Sequence, residues 1–169
     1  MSAKFTQEQI IEIIIEWAEQ KAKNEEIKFD RKLCKKYNDH FTVRYLTPQT
    51  TNLIPNNSEG KNTGFEGKNH YAFEIECRQE VLHLLLTFSY KNITDETKKI
   101  CEEILDKYKM YRIKNYKKPT GAFRGACSFK INISKCQSKE AIITEMNKYF
   151  YMMKGYEEFI CHKLQKEKA

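Results

Sequence analysis

The sequence predicts an α+β fold: a mostly antiparallel sheet of about five strands with helices packed on it, in the order α-(α)-β-β-β-α-β-β-α. Three observations carry this expectation. Apolar residues alternate at period two through Tyr71–Phe88 and again through Cys127–Ile133, whereas around Ile10–Ala18 and Ile142–Met153 they recur at helical spacing. Turn and cap residues separate these stretches. The 169 residues suit one domain, 1–169, with a single core.

Thr6 with Gln9 three residues on is a capping-box signature. Ile10, Ile14 and Trp17 run beside Ile11, Ile15 and Ala18, predicting a helix over about Gln7–Lys23. Asp30 is placed to cap a short helix near Arg31–Tyr37. Phe41, Val43 and Tyr45 alternate with polar residues as in a half-buried strand. Residues 47–69 then hold two of the three prolines and three of the six glycines, and read as a long flexible loop.

Tyr71, Phe73, Ile75 and Cys77 share one strand face, and Leu82, Leu84, Leu86 and Phe88 share a face of the next. A tight turn at Gln79-Glu80 pairs Cys77 with Leu82, Ile75 with Leu84, Phe73 with Leu86 and Tyr71 with Phe88. A slip of one residue would bring His83 and Thr87 onto that face, so the register is specified. Thr94 or Asp95 starts a helix carrying Ile100, Ile104, Leu105 and Tyr108. A strand is expected near Met110–Lys114. After Pro119-Thr120-Gly121, Cys127, Phe129, Ile131 and Ile133 alternate with Ser128, Lys130 and Asn132. Ser138 caps a long last helix, and Gly155 is expected to bend or interrupt it.

Charge is the most informative functional feature. From Lys107 to Lys139 there are ten basic residues and no Asp or Glu, in a chain of net charge +7, so the remainder is net acidic. Tyr108, Tyr111, Tyr116 and Phe123 are interleaved. Lysine and arginine neutralise phosphates and exposed rings stack on unpaired bases, so this pattern suits nucleic acid. The expected contact residues are Lys109, Arg112, Lys114, Tyr116, Lys117, Lys118, Arg124 and Lys130. An acidic protein partner would be met by the same surface.

A second candidate site lies on the other face of the hairpin. The register sets Glu76 opposite His83, with Glu74 two residues away on the same strand face. A carboxylate beside an imidazole can act as an acid–base pair or lend ligands to a metal. The element order invites comparison with nuclease cores that hold a carboxylate on one strand and Glu-x-Lys on the next. That comparison fails, because Val81–Tyr90 contains no acidic residue, while Glu59-Gly60-Lys61 and Glu66-Gly67-Lys68 both precede the hairpin.

Cys34, Cys77, Cys101, Cys127, Cys136 and Cys161 are scattered without Cys-x-x-Cys spacing and read as reduced core thiols, so no metal site and no cofactor is expected. No apolar run has the length of a membrane span, and the first residues lack the pattern of a signal peptide. These features together predict a cytoplasmic, non-enzymatic binding or regulatory protein that engages nucleic acid or a nucleic-acid-bearing complex. The alternatives are an interaction or inhibitor module that docks on an acidic or nucleic-acid-binding partner, and a metal- or acid–base-dependent phosphodiesterase.

Overall fold

The computed structural model describes residues 5–56, 59–66, 68–113 and 121–169. Helix α1 (Gln7–Lys23) begins where the sequence places it: Thr6 Oγ1 accepts the Gln9 N–H at 3.2 Å, and Gln9 Oε1 accepts the Thr6 N–H at 2.8 Å. A short strand β1 (Lys35–Lys36) pairs with β2 (Phe41–Tyr45), followed by α2 (Pro48–Leu53), the hairpin β3 (Tyr71–Arg78) and β4 (Val81–Ser89), then α3 (Asp95–Met110), β5 (Phe123–Asn132) and α4 (Lys139–Lys168). The five strands form one antiparallel meander in which each strand hydrogen-bonds to the next in sequence.

The hairpin pairs as the alternation requires, with Cys77 opposite Leu82, Ile75 opposite Leu84, Phe73 opposite Leu86 and Tyr71 opposite Phe88. Gln79 takes a φ of 51° in the two-residue turn, a left-handed conformation that glycine usually supplies. β5 continues the pattern, with Ile131 opposite Leu82, Phe129 opposite Leu84 and Cys127 opposite Leu86. Helices α1, α3 and α4 bury their apolar stripes on this face in one core cluster. The first and last helices meet directly: the Trp17 indole donates to Asn147 Oδ1 at 2.9 Å, and Lys21 Nζ donates to the Tyr151 hydroxyl at 2.7 Å.

Four local expectations change. The segment 47–69 contains α2, which Pro48 at its first turn favours and which the Glu157 carboxylate of α4 caps through the Thr50 N–H at 3.2 Å. Asp30 caps only a three-residue 3-10 turn, Arg31–Leu33, because Lys35 and Lys36 leave it to pair with Thr42 and Phe41. No strand occupies residues 110–113. Tyr111, Arg112 and Ile113 instead bond back to Lys107, Lys109 and Tyr108, closing α3 around a left-handed Arg112, and Lys114 lies outside the described residues. Helix α4 continues unbroken through Gly155, because Met153, Glu157, Ile160, Cys161 and Leu164 keep one buried face on both sides of it. The element order is therefore α-β-β-α-β-β-α-β-α.

All six cysteines are free thiols, five of them buried. Among the described residues no helix is long and apolar enough to cross a membrane.

Candidate functional site

The face of the sheet turned away from the helices is polar. Register places Thr42, Glu76, His83 and Lys130 in one row across four strands, and Arg44, Glu74, Leu85 and Ser128 in the next. Arg44 and Glu74 form a buried ion pair at 3.0 Å, and Arg44 also donates to the Tyr37 hydroxyl at 3.0 Å. Glu74 is thus committed as the counter-ion of Arg44. Glu76 is buried, with Arg78 at 3.8 Å, and His83 is half-buried between Glu76 and Lys130. A carboxylate, an imidazole and an ammonium in one row can pass a proton, but among the described residues no group of three His, Cys, Asp or Glu side chains could hold a metal ion.

Part of this face lies under the loop before the hairpin. The Phe65 ring covers the Arg44 guanidinium at 5.3 Å and meets the Phe123 ring at 5.6 Å. The loop is pinned by its own polar groups: the Ser89 hydroxyl donates to Thr63 O, Asn92 Nδ2 donates to Asn62 O at 2.7 Å, and Asn62 Oδ1 accepts the Gly64 N–H at 2.7 Å. Gly64 has a φ of 87°, and a Cβ there would stand 2.6 Å from the Phe123 ring. Only glycine permits that approach. His70 sits below, its Nδ1 donating to Ser89 O at 3.1 Å. Burial lowers its imidazole below the ordinary value, so it is neutral and adds nothing to the basic surface.

This pinned loop forms one wall of a groove of about 560 Å³, lined by Lys35, Gly60, Asn62, Gly64, Phe65, Glu66, Lys68 and Lys91. Three ammonium groups from three separate segments converge there against one carboxylate, Glu66, which stands 3.5 Å from Lys35. Beside Lys91 the Tyr90 ring carries two further cations, the Arg124 guanidinium at 5.2 Å and Lys98 Nζ at 5.8 Å. Burial pushes the Tyr90 phenol up to about 12, so the ring is neutral beneath them.

The expected contact residues that fall among the described ones do not share one surface. Arg124 belongs to this end of the sheet. Ala126 is left unpaired by a bulge, since Cys127 opposes Leu86 while Gly125 opposes Thr87. The bulge sets Arg124 on the Phe88 side of the sheet and leaves Lys130 on the His83 side, about 20 Å further along β5 at strand rise. Lys109 and Arg112 lie at the C-terminal end of α3, about 24 Å from its start. Lys114, Tyr116, Lys117 and Lys118 fall outside the described residues. Carboxylates from elsewhere meet part of the basic run: Lys107 pairs with Glu167, Lys139 with Glu16, and Lys109 lies 3.9 Å from Asp106. Arg112, Arg124, Lys130 and Lys135 make no ion pair among the described residues.

Sequence reasoning missed Lys35, Lys68, Lys91 and Lys98, none of which lies in the charged run. Comparison with protein-family models, with curated proteins and with solved structures returns no significant match.

Proposed function

We propose that the protein is a non-catalytic binding protein that engages nucleic acid, alone or within a nucleoprotein complex, through the phosphate backbone. The observation that carries this reading is the convergence of Lys35, Lys68 and Lys91 on a groove walled by a pinned, glycine-bearing loop. Ammonium groups on a preorganised backbone neutralise phosphates at little ordering cost. The adjoining Tyr90, with Arg124 and Lys98 stacked over it, extends the cationic surface past Lys91 and adds an aromatic group. Neutralised phosphates release counterions, so affinity depends steeply on salt.

The test is fluorescence anisotropy with labelled single-stranded and duplex oligonucleotides across a salt series of about 50–200 mM. Binding should weaken linearly on a log–log plot. Replacing Lys68 and Lys91 by Gln should lower the slope by about 0.7–0.9 for each phosphate contact removed. Undetectable binding at the lowest salt, or an unchanged slope in the double variant, refutes the assignment.

A further inference from the structure

We infer that two copies of this chain associate through the outward face of α4, their helices antiparallel about a two-fold axis at the level of Lys154. Glu145, Tyr149, Met152, Tyr156, Phe159 and Lys163 recur along α4 at alternating steps of four and three residues. That spacing keeps one seam of a helix facing a second helix. Met146, Met153 and Ile160 are buried in the core about a quarter turn away, so the seam is a second stripe on the same helix. Met152 is 39% exposed and Phe159 41%. Tyr149 and Tyr156 are half-buried, stacked on Phe129 at 5.0 and 6.3 Å, and the Phe159 ring meets that of Tyr111 at 4.7 Å. The protomer thus braces the seam from beneath. Single exposed apolar residues are ordinary, whereas a contiguous set marks a contact surface.

Self-complementarity makes a second copy the occupant. With the axis at Lys154, Tyr149 comes level with Phe159 of the copy, and Met152 with Tyr156 of the copy. The charges then meet opposite charges. Glu145 comes level with Lys163 of the copy, and on one flank Lys148 stands within a turn of Glu158 of the copy. Each match occurs twice by symmetry. Lys148 and Lys163 lie over their own Tyr149 and Phe159 rings, at 5.1 and 5.5 Å. None of the four charged groups makes an ion pair among the described residues, although Lys130 and Lys135 line a groove with Glu145. A parallel pairing would instead set Glu145 on Glu145 and Lys163 on Lys163. Gly155 fits the same arrangement. Glycine weakens a helix interior, and a Cβ here would meet nothing within 4 Å among the described residues. Across the axis it faces Gly155 of the copy, where two missing side chains let the backbones approach.

The experiment is sedimentation velocity of the full chain over a wide concentration range. The seam is short, so the dimer should be weak and form reversibly at micromolar concentrations. Met152→Glu places carboxylates at the centre of the seam and should weaken association about 30-fold or more. Glu145→Lys and Lys163→Glu should each weaken it about 10-fold. The double variant Glu145→Lys/Lys163→Glu should restore it. Within one helix these two residues stand about 27 Å apart, so restoration can come only from pairing between copies. Far-UV circular dichroism of every variant should match the parent, since these side chains lie outside the core. Three outcomes overturn the inference: a chain still monomeric at about 1 mM; association that Met152→Glu leaves unchanged; or a double variant that associates no better than the single ones.

Discussion

The Glu157 carboxylate of α4 accepts both the backbone N–H of Thr50, at 3.2 Å, and its hydroxyl, at 2.6 Å, so one helix caps another a hundred residues away in the chain. The Thr47 hydroxyl donates to the same oxygen. Replacing Glu157 by Ala leaves these buried donors unmet and should cost about 2–3 kcal/mol in urea unfolding. Burial raises the Glu157 carboxyl, and the bonds from Thr47 and Thr50 pull it down without cancelling that effect. The folded state therefore holds this proton more tightly than the unfolded chain does. The linked stabilisation is complete below the unfolded value of 4.5 and is lost as pH rises through the folded value. Relative to Glu157→Gln, the parent should lose stability across that window. Parallel pH profiles would refute the assignment.

The buried Arg44–Glu74 pair gives a second expectation. Glu74→Leu leaves the guanidinium buried with, among the described residues, the Tyr37 hydroxyl and the Phe65 ring, and should cost about 3–5 kcal/mol by chemical denaturation. Adding Arg44→Met should recover most of that loss. A Glu74→Leu variant as stable as the parent would mean that the pair is solvated.

Gln79 holds a φ of 51° in the hairpin turn. Gln79→Gly should raise stability by about 0.5–1 kcal/mol, visible as a higher thermal midpoint. A lower midpoint would mean that the Gln79 side chain makes contacts worth more than its backbone strain.

The bulge at Ala126 separates two residues of the basic run. In the oligonucleotide assay Arg124→Glu should weaken binding several-fold, whereas Lys130→Glu, about 20 Å away along β5, should leave it near the parent value. Equal losses would point to a diffuse field rather than a local groove.

Much of the fold was legible because its signals are local. Thr6 and Gln9, or Cys77 and Leu82, stand within a few residues of each other, and alternation leaves one register that keeps Ile75, Leu84 and Phe129 on a common face. The misses have non-local causes. Helix α2 is capped by Glu157, which no window around Pro48 contains, and Lys35-Lys36 become a strand only because Phe41 and Thr42 offer an edge. The site was less legible than the fold. A run of lysines in sequence is divided by helix ends and a bulge, while Lys35, Lys68 and Lys91 are gathered from loops with no shared pattern. The bonds from Ser89 and Asn92 to the loop, with the approach of Gly64 to Phe123, make them neighbours.

The meeting of Trp17 with Asn147, and of Lys21 with Tyr151, also ties the covering of α1 to residues 130 positions further along the chain. The meander lets each strand dock on one already synthesised, so the sheet can build vectorially as the chain leaves the ribosome. Helix α1 can rest on β2, where the Trp17 ring meets that of Tyr45 at 6.1 Å, but the remainder of its stripe stays open until α4 follows. A chain interrupted before α4 would therefore carry a partly bare tryptophan.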